Sequence, residues 1–139
     1  MSLKKSIPLL LCFVVFGLSS CKLEDDRVNF RFVPLQILSA DVPEAFELNE
    51  TYEIRVRYLR PSACVFFEGF DITKEGVTTR NVVAIGTDFY DEVCTQAVEE
   101  QEASFNFICL YEDTYLFRFW TGEDENGNQQ YLEVEVPVN

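Results

Sequence analysis

Thr51-Tyr52-Glu53-Ile54-Arg55-Val56-Arg57-Tyr58 sets apolar side chains at 52, 54, 56 and 58 against charged ones at 53, 55 and 57. Successive side chains of an extended strand point to opposite faces, so this stretch has one face to bury and one to wet. Leu132, Val134, Val136 and Val138 alternate with Glu133 and Glu135 in the same way, and Ala103, Phe105, Phe107 and Cys109 alternate with Ser104 and Asn106. Cys64 to Phe67, Tyr115 to Trp120 and the shorter Val82 to Ile85 are apolar on both faces, as central or doubly covered strands are. Val33 to Ser39 reads as a first strand, its start kept at an edge by Pro34, which has no N–H to give to a ladder.

Turn residues fall between these runs. Lys74-Glu75-Gly76 separates the third strand from the fourth, and Asn126-Gly127, a strong hairpin signal, separates the sixth from the seventh. Asp41 to Asn49, with Pro43, reads as a polar connection. The only stretch with helix-forming character is Thr95 to Glu102, which is too short to organise a core and reads as an inter-sheet connection. About seven strands in one all-β domain predict an immunoglobulin-like or fibronectin-III-like β-sandwich over residues 30–139.

The 139 residues are enough for one ordinary domain. Asp and Glu outnumber Lys and Arg by 24 to 11, and there is no histidine. The acidic balance argues against nucleic acid as a partner, because each phosphate contact needs a cation. Lack of histidine removes His-based acid–base chemistry, Ser-His and Cys-His nucleophiles, and the commonest transition-metal ligand.

The N-terminus reads as an address. Lys4 and Lys5 precede an uncharged apolar run, Ile7 to Gly17, too short for a membrane span, which needs about 20 residues. Residues 1–20 therefore read as a secretory signal peptide. The run ends at Leu18-Ser19-Ser20-Cys21, which resembles the lipobox of bacterial lipoproteins. That resemblance implies acylation of Cys21, with two or three chains giving a durable membrane anchor. Residues 21–29 form a tether, and Glu24, Asp25 and Asp26 within it resemble the surface-export signal of Bacteroidota lipoproteins; a periplasm-facing pose is the alternative. Two of the 11 basic residues precede Cys21, which leaves 9 against 24 acidic ones, a formal −15. Such a domain is repelled by anionic headgroups, so attachment is expected through Cys21 and not through the domain face.

Cys12 leaves with the signal peptide and Cys21 takes lipid, so Cys64, Cys94 and Cys109 remain in an oxidising compartment and allow one disulfide. A hairpin about Gly76 puts residue 64 opposite the high eighties, within reach of Cys94 once the loop curls back. Cys94 with Cys109 is the competing pair. Cys109 lies on the inward phase of Phe105 and Phe107, where a free thiol acts as a small hydrophobe. A closed loop of the Cys64–Cys94 length contributes roughly 3 kcal/mol.

The segments RPSACVFFEGFDI (60–72), EVCTQAV (92–98) and TYLFRFWTGEDENGNQQYLEVEVPV (114–138) together resemble a group of small flavobacterial-type lipoproteins. The resemblance implies an outer-membrane or surface β-sandwich and supports the Cys64–Cys94 pairing. It implies no activity, and Cys109 does not belong to its pattern.

Three constellations bear on chemistry. Glu123 to Asn128 partly resembles a calcium loop, but glycine falls at position four instead of six from Asp124, and Glu135 at twelve lies inside a strand; an acidic hairpin tip is the preferred reading. Tyr115, Trp120 and Tyr131 could form a platform for sugar rings, yet with 13 Phe, 6 Tyr and one Trp most aromatics must lie inside, Trp120 among them. Carboxylates abound, but a nucleophile, a base and an oxyanion signature are all missing. The expectation is a non-catalytic binding or envelope-interaction module, with no cofactor and no metal. Its partners would be the membrane through the lipid and an envelope protein or glycan. A carbohydrate-binding accessory is the alternative. Phe89 and Tyr90 in the loop after the fourth strand are the residues expected to face a ligand, because loops on a rigid scaffold carry recognition, and Trp120 joins them in the carbohydrate-binding alternative.

Overall fold

The computed structural model describes residues 27–139. Eight strands follow in order: β1 (Arg31–Leu35), β2 (Ile37–Asp41), β3 (Thr51–Arg60), β4 (Val65–Lys74), β5 (Thr79–Asp88), β6 (Glu99–Ile108), β7 (Tyr115–Glu123) and β8 (Gln129–Val136). They form two sheets packed face to face, the all-β sandwich expected from the alternation. In the larger sheet β5 pairs with β4 along one edge. Its other edge is shared, by β1 over residues 84–88 and by β7, in parallel, over 79–82, with β8 beyond β7. The smaller sheet runs β2-β3-β6, antiparallel throughout. A split of five and three with one parallel pair does not confirm the immunoglobulin-like order, which divides seven antiparallel strands four and three.

The count rises from seven to eight because the first predicted strand belongs to both sheets. Up to Leu35 it pairs with β5, and from Ile37 it pairs with β3, so the chain changes layer at Gln36. Leu35 and Ile37 are both buried at the crossing, one under each sheet.

The core forms where the inward phases meet. Ile54, Val56 and Tyr58 of β3 face Tyr115, Phe117 and Phe119 of β7 and Val82 and Ala84 of β5. Aromatic rings span the layers: Tyr58 on Phe67, Phe70 on Phe105 and Phe107 on Phe117, each with centroids 5.1 Å apart. Such pairs add about 0.5–1.5 kcal/mol each beyond their area. A bulge between Phe67 and Gly69 restores the inward phase for Phe70, with Gly69 at φ 157°. Cys109 is fully buried and free, as its phase predicts.

Two expectations fail here. The 41–49 connection is not merely polar: Phe46 is fully buried, 4.7 Å from Tyr52 and 5.2 Å from Phe107 between ring centroids. Its backbone is fixed by Phe46 N–H donating to Pro137 C=O at 2.8 Å and Asn139 N–H donating to Phe46 C=O at 2.8 Å. Thr95 to Glu102 is not all connection either, since β6 starts at Glu99 and pairs Glu99 to Glu102 with Arg60 to Arg57. Its acids meet cations on β3, Glu99 with Arg60 at 2.6 Å and Glu100 with Arg57 at 3.8 Å, and this cross-strand partner outweighs weak helical propensity.

At the end of the sandwich where β7 begins, the Tyr115 hydroxyl accepts the backbone N–H groups of Leu110 and Tyr111, both at 3.1 Å. This tyrosine corner, a device of β-sandwiches, satisfies two donors of the β6–β7 loop from inside the core.

Candidate functional site

At the opposite end β4 starts and β5 stops, and Val65 lies opposite Asp88. Phe32 of β1 and Phe66 of β4 are both register partners of Thr87, so the three side chains form one row across the outer face of the larger sheet. Thr87 is buried between them and its hydroxyl donates to Glu68 Oε1 at 2.6 Å. Phe89, just beyond β5, bridges the cluster: its ring centroid lies 5.7 Å from Phe66 and 6.1 Å from Phe30, which is 5.6 Å from Phe32. The bridging ring is half-buried, but its neighbours are open, with Val28 62%, Phe30 49%, Phe32 66% and Phe66 51% exposed. Single exposed apolar side chains are ordinary, whereas here they gather from three chain segments into one contiguous patch. It frames a depression of about 400 Å³ floored by Glu68 and Thr87.

This surface is held in place where the described chain begins. Arg31 binds Asp88 through Nε at 3.0 Å and Nη2 at 2.9 Å, and its guanidinium lies 5.7 Å from the Tyr90 ring centroid. The Asn29 amide donates to the Asp91 carboxylate. Cys64 and Cys94 are disulfide-bonded with Cα atoms 5.5 Å apart. Phe89 N–H donates to Cys64 C=O at 3.1 Å and Ala63 N–H donates to Thr95 C=O at 2.9 Å, so the loop carrying Phe89 and Tyr90 is sewn to the start of β4. The pairing expected from the hairpin and the resemblance is the observed one.

Phe89 lies in the apolar patch, and Tyr90 lies beside it, lining with Phe89 an adjoining depression against Arg31 and Cys64. Trp120 does not join them and is not in the core. It shares the phase of Leu116 and Arg118, opposite to the buried Tyr115, Phe117 and Phe119, and its Nε1 donates to Gln129 Oε1 at 2.5 Å. It lines a separate cleft of about 340 Å³ with Gln36, Leu59, Pro61 and Val98, where β1 leaves the larger sheet. No platform of Tyr115, Trp120 and Tyr131 exists, because Tyr115 is fully buried and Tyr131 lies beneath Arg118, 4.3 Å from the guanidinium. Cys21, Glu24, Asp25, Asp26 and residues 1–20, read from the sequence as a signal peptide, lie outside the described residues.

No protein-family model, curated protein or solved structure matches this chain.

The site thus rests on its own geometry. Val28, Phe30, Phe32 and Phe66 escaped the sequence reading, although Val28-Asn29-Phe30-Arg31-Phe32 has the period of two that could have found them. Period two says which residues share a face, not whether that face is covered.

Two exposed carboxylates elsewhere are engaged locally. Asp124 accepts from Asn126 N–H at 2.8 Å, Asn128 N–H at 2.9 Å and the Asn128 side chain at 3.0 Å. These bonds, the Asn128 side chain first, hold its carboxyl below the ordinary aspartate range, and they make the 123–128 segment a self-satisfied turn. The Asn81 amide and then Arg118 hold the Glu75 carboxyl low in the same way. Among the described residues, Cys64, Glu92 and Cys94 come within a metal's reach of one another, but the two sulfurs are bonded together and not free to ligate.

Proposed function

We propose that this chain is a lipid-anchored envelope module, attached to the outer membrane through Cys21 and acting without catalysis through the aromatic surface at the tether end. The observation that carries this reading is the open cluster of Phe30, Phe32 and Phe66 around Phe89, built on a disulfide-pinned scaffold beside the first described residues. Most of the other aromatics lie in the core or against it, whereas these four gather on an outer face of the larger sheet. In this reading residues 1–20 direct secretion, Cys21 carries the lipid, and Glu24, Asp25 and Asp26 favour outward display, with a periplasm-facing pose as the alternative. The contacted component is an envelope constituent meeting an apolar, aromatic face.

The test is photo-crosslinking in cells from position 32, with Val77 in the β4–β5 turn, at the other end of the sandwich, as control. An adduct to protein or lipid from position 32 and none from position 77 is expected, together with release of Cys21→Ser from the membrane fraction. No adduct at 32, or retention of Cys21→Ser in the membrane, would overturn the reading.

A carbohydrate-binding role has one observation in its favour, the cleft beside the half-buried Trp120. Neutral glycans would then change Trp120 emission, and an emission indifferent to them removes this second reading.

A further inference from the structure

We propose that the occupant of the aromatic surface is a lipid bilayer, so that the domain docks on the membrane that anchors it, with the Phe30–Phe32–Phe66 face toward the lipid. This deepens the preceding reading and rests on Cys21 as the anchor. The first observation is the length of chain between anchor and surface. Six residues lie between Cys21 and Val28, seven Cα steps that span at most about 25 Å when fully extended. The second is where that chain arrives. Asn29 on Asp91, Arg31 on Asp88 and Phe30 on Phe89 hold the incoming segment to the sheet at the edge of the open cluster. An anchor in the bilayer therefore delivers this face, and not the opposite end of the sandwich, to the headgroups.

The chemistry of the face suits that position. Its rings would enter the boundary between headgroups and acyl chains, while Arg31 and Tyr90 at the rim, each with an apolar body and a polar tip, can keep their tips at headgroup level. The tether converts docking into an intramolecular step at millimolar effective concentration, so a modest affinity is sufficient. The formal −15 of the chain from Cys21 onward makes zwitterionic lipid the preferred surface and anionic lipid the poorer one. It also revises the expectation that the domain face plays no part in attachment: the charge is a property of the whole surface, whereas the docking face is mostly apolar, its one carboxylate, Glu68, accepting the Thr87 hydroxyl.

The test uses the chain from Cys21 onward, coupled through the Cys21 thiol to a maleimide lipid in phosphatidylcholine vesicles. Cys109 is buried and Cys64 and Cys94 are bonded, so Cys21 is the reactive thiol. With Trp120→Phe as background, Phe32→Trp reports on the proposed face and Val77→Trp on the far end. Acyl chains brominated near the headgroup are expected to quench the position 32 reporter roughly two-fold and leave position 77 unchanged. Quenching is expected to weaken in phosphatidylglycerol vesicles at low salt. Equal quenching at both positions, or none at position 32, overturns the proposal. So does a position 32 reporter shielded only as the protein becomes dimeric by sedimentation, which would assign the face to a second copy. Because coupling is chemical, the outcome does not depend on acylation in cells. Failure of the anchor reading is seen separately, as membrane retention of Cys21→Ser.

Discussion

Removing the disulfide is expected to weaken the domain by an amount set by the loop it closes. Cys64 and Cys94 are 30 residues apart, and in the chain-entropy relation a loop of that length restricts the unfolded chain by about 3.6 kcal/mol at 25 °C. The Cys64→Ala/Cys94→Ala variant should lose close to that amount, because alanine keeps the Cβ packing of the buried Cys64 and the half-buried Cys94. With a urea dependence of about 2 kcal/mol per molar, typical of small domains, the unfolding midpoint falls by roughly 2 M. Trp120 fluorescence follows the transition. Hydrogen exchange adds a local readout: amides of Phe89 to Val93 should lose protection more than those of the 74–79 turn, since only the former are sewn to β4 by the bond. A loss under about 1 kcal/mol would refute the reasoning, as would uniform exchange, because either would mean that the bond constrains neither the unfolded chain nor the loop.

Tyr115→Phe strands the backbone N–H groups of Leu110 and Tyr111; a loss of about 1–3 kcal/mol and faster exchange at those two amides are expected in urea unfolding and exchange experiments. Gly86→Ala places a Cβ 3.0 Å from Val65 Cγ1, 3.1 Å from Leu35 Cδ1 and 3.1 Å from the Phe66 carbonyl oxygen, so urea unfolding should show a cost of about 1–3 kcal/mol. Because hydrogen bonds depress the Asp124 carboxyl, its contribution to the β7–β8 turn is complete above the ordinary aspartate pKa and is lost as pH falls through the lower folded value. A carboxyl NMR titration should put Asp124 below a typical exposed aspartate, and a midpoint at the ordinary value would remove the turn reading.

Strand identity was legible wherever one face is wet, as in 51–58 and 132–136, because alternation there reports directly on burial. The Cys64–Cys94 proximity was legible too, since a hairpin centred on Gly76 fixes what lies opposite residue 64. Three features were not. The layer change at Gln36 leaves no trace in the periodicity, because Leu35 and Ile37 are apolar whichever sheet they serve. Phe46 sits among polar loop residues, and only the distant Phe107, Tyr115 and Phe117 make its position a core. Trp120 went astray because its hydrophobicity was read as burial, yet it shares the outward phase of Leu116 and Arg118, and Phe32, on the outer face of the larger sheet, falls just before the predicted first strand. Of the apolar patch, the loop pointed only to Phe89; Val28, Phe30 and Phe32 precede the predicted first strand, and Phe66 was read as part of a doubly covered strand.

The crossing at Gln36 bears on how the domain withstands force. Tension applied at the N-terminus enters along β1 and continues in line through β2, and the two segments are hydrogen-bonded to different sheets. Interstrand bonds lie perpendicular to the strands, so a pull along the strand axis loads the β1–β5 and β2–β3 ladders in shear, many bonds at once, instead of unzipping them singly. A domain tugged by its anchor would thus grip hardest at its first strand, with both layers sharing the strain.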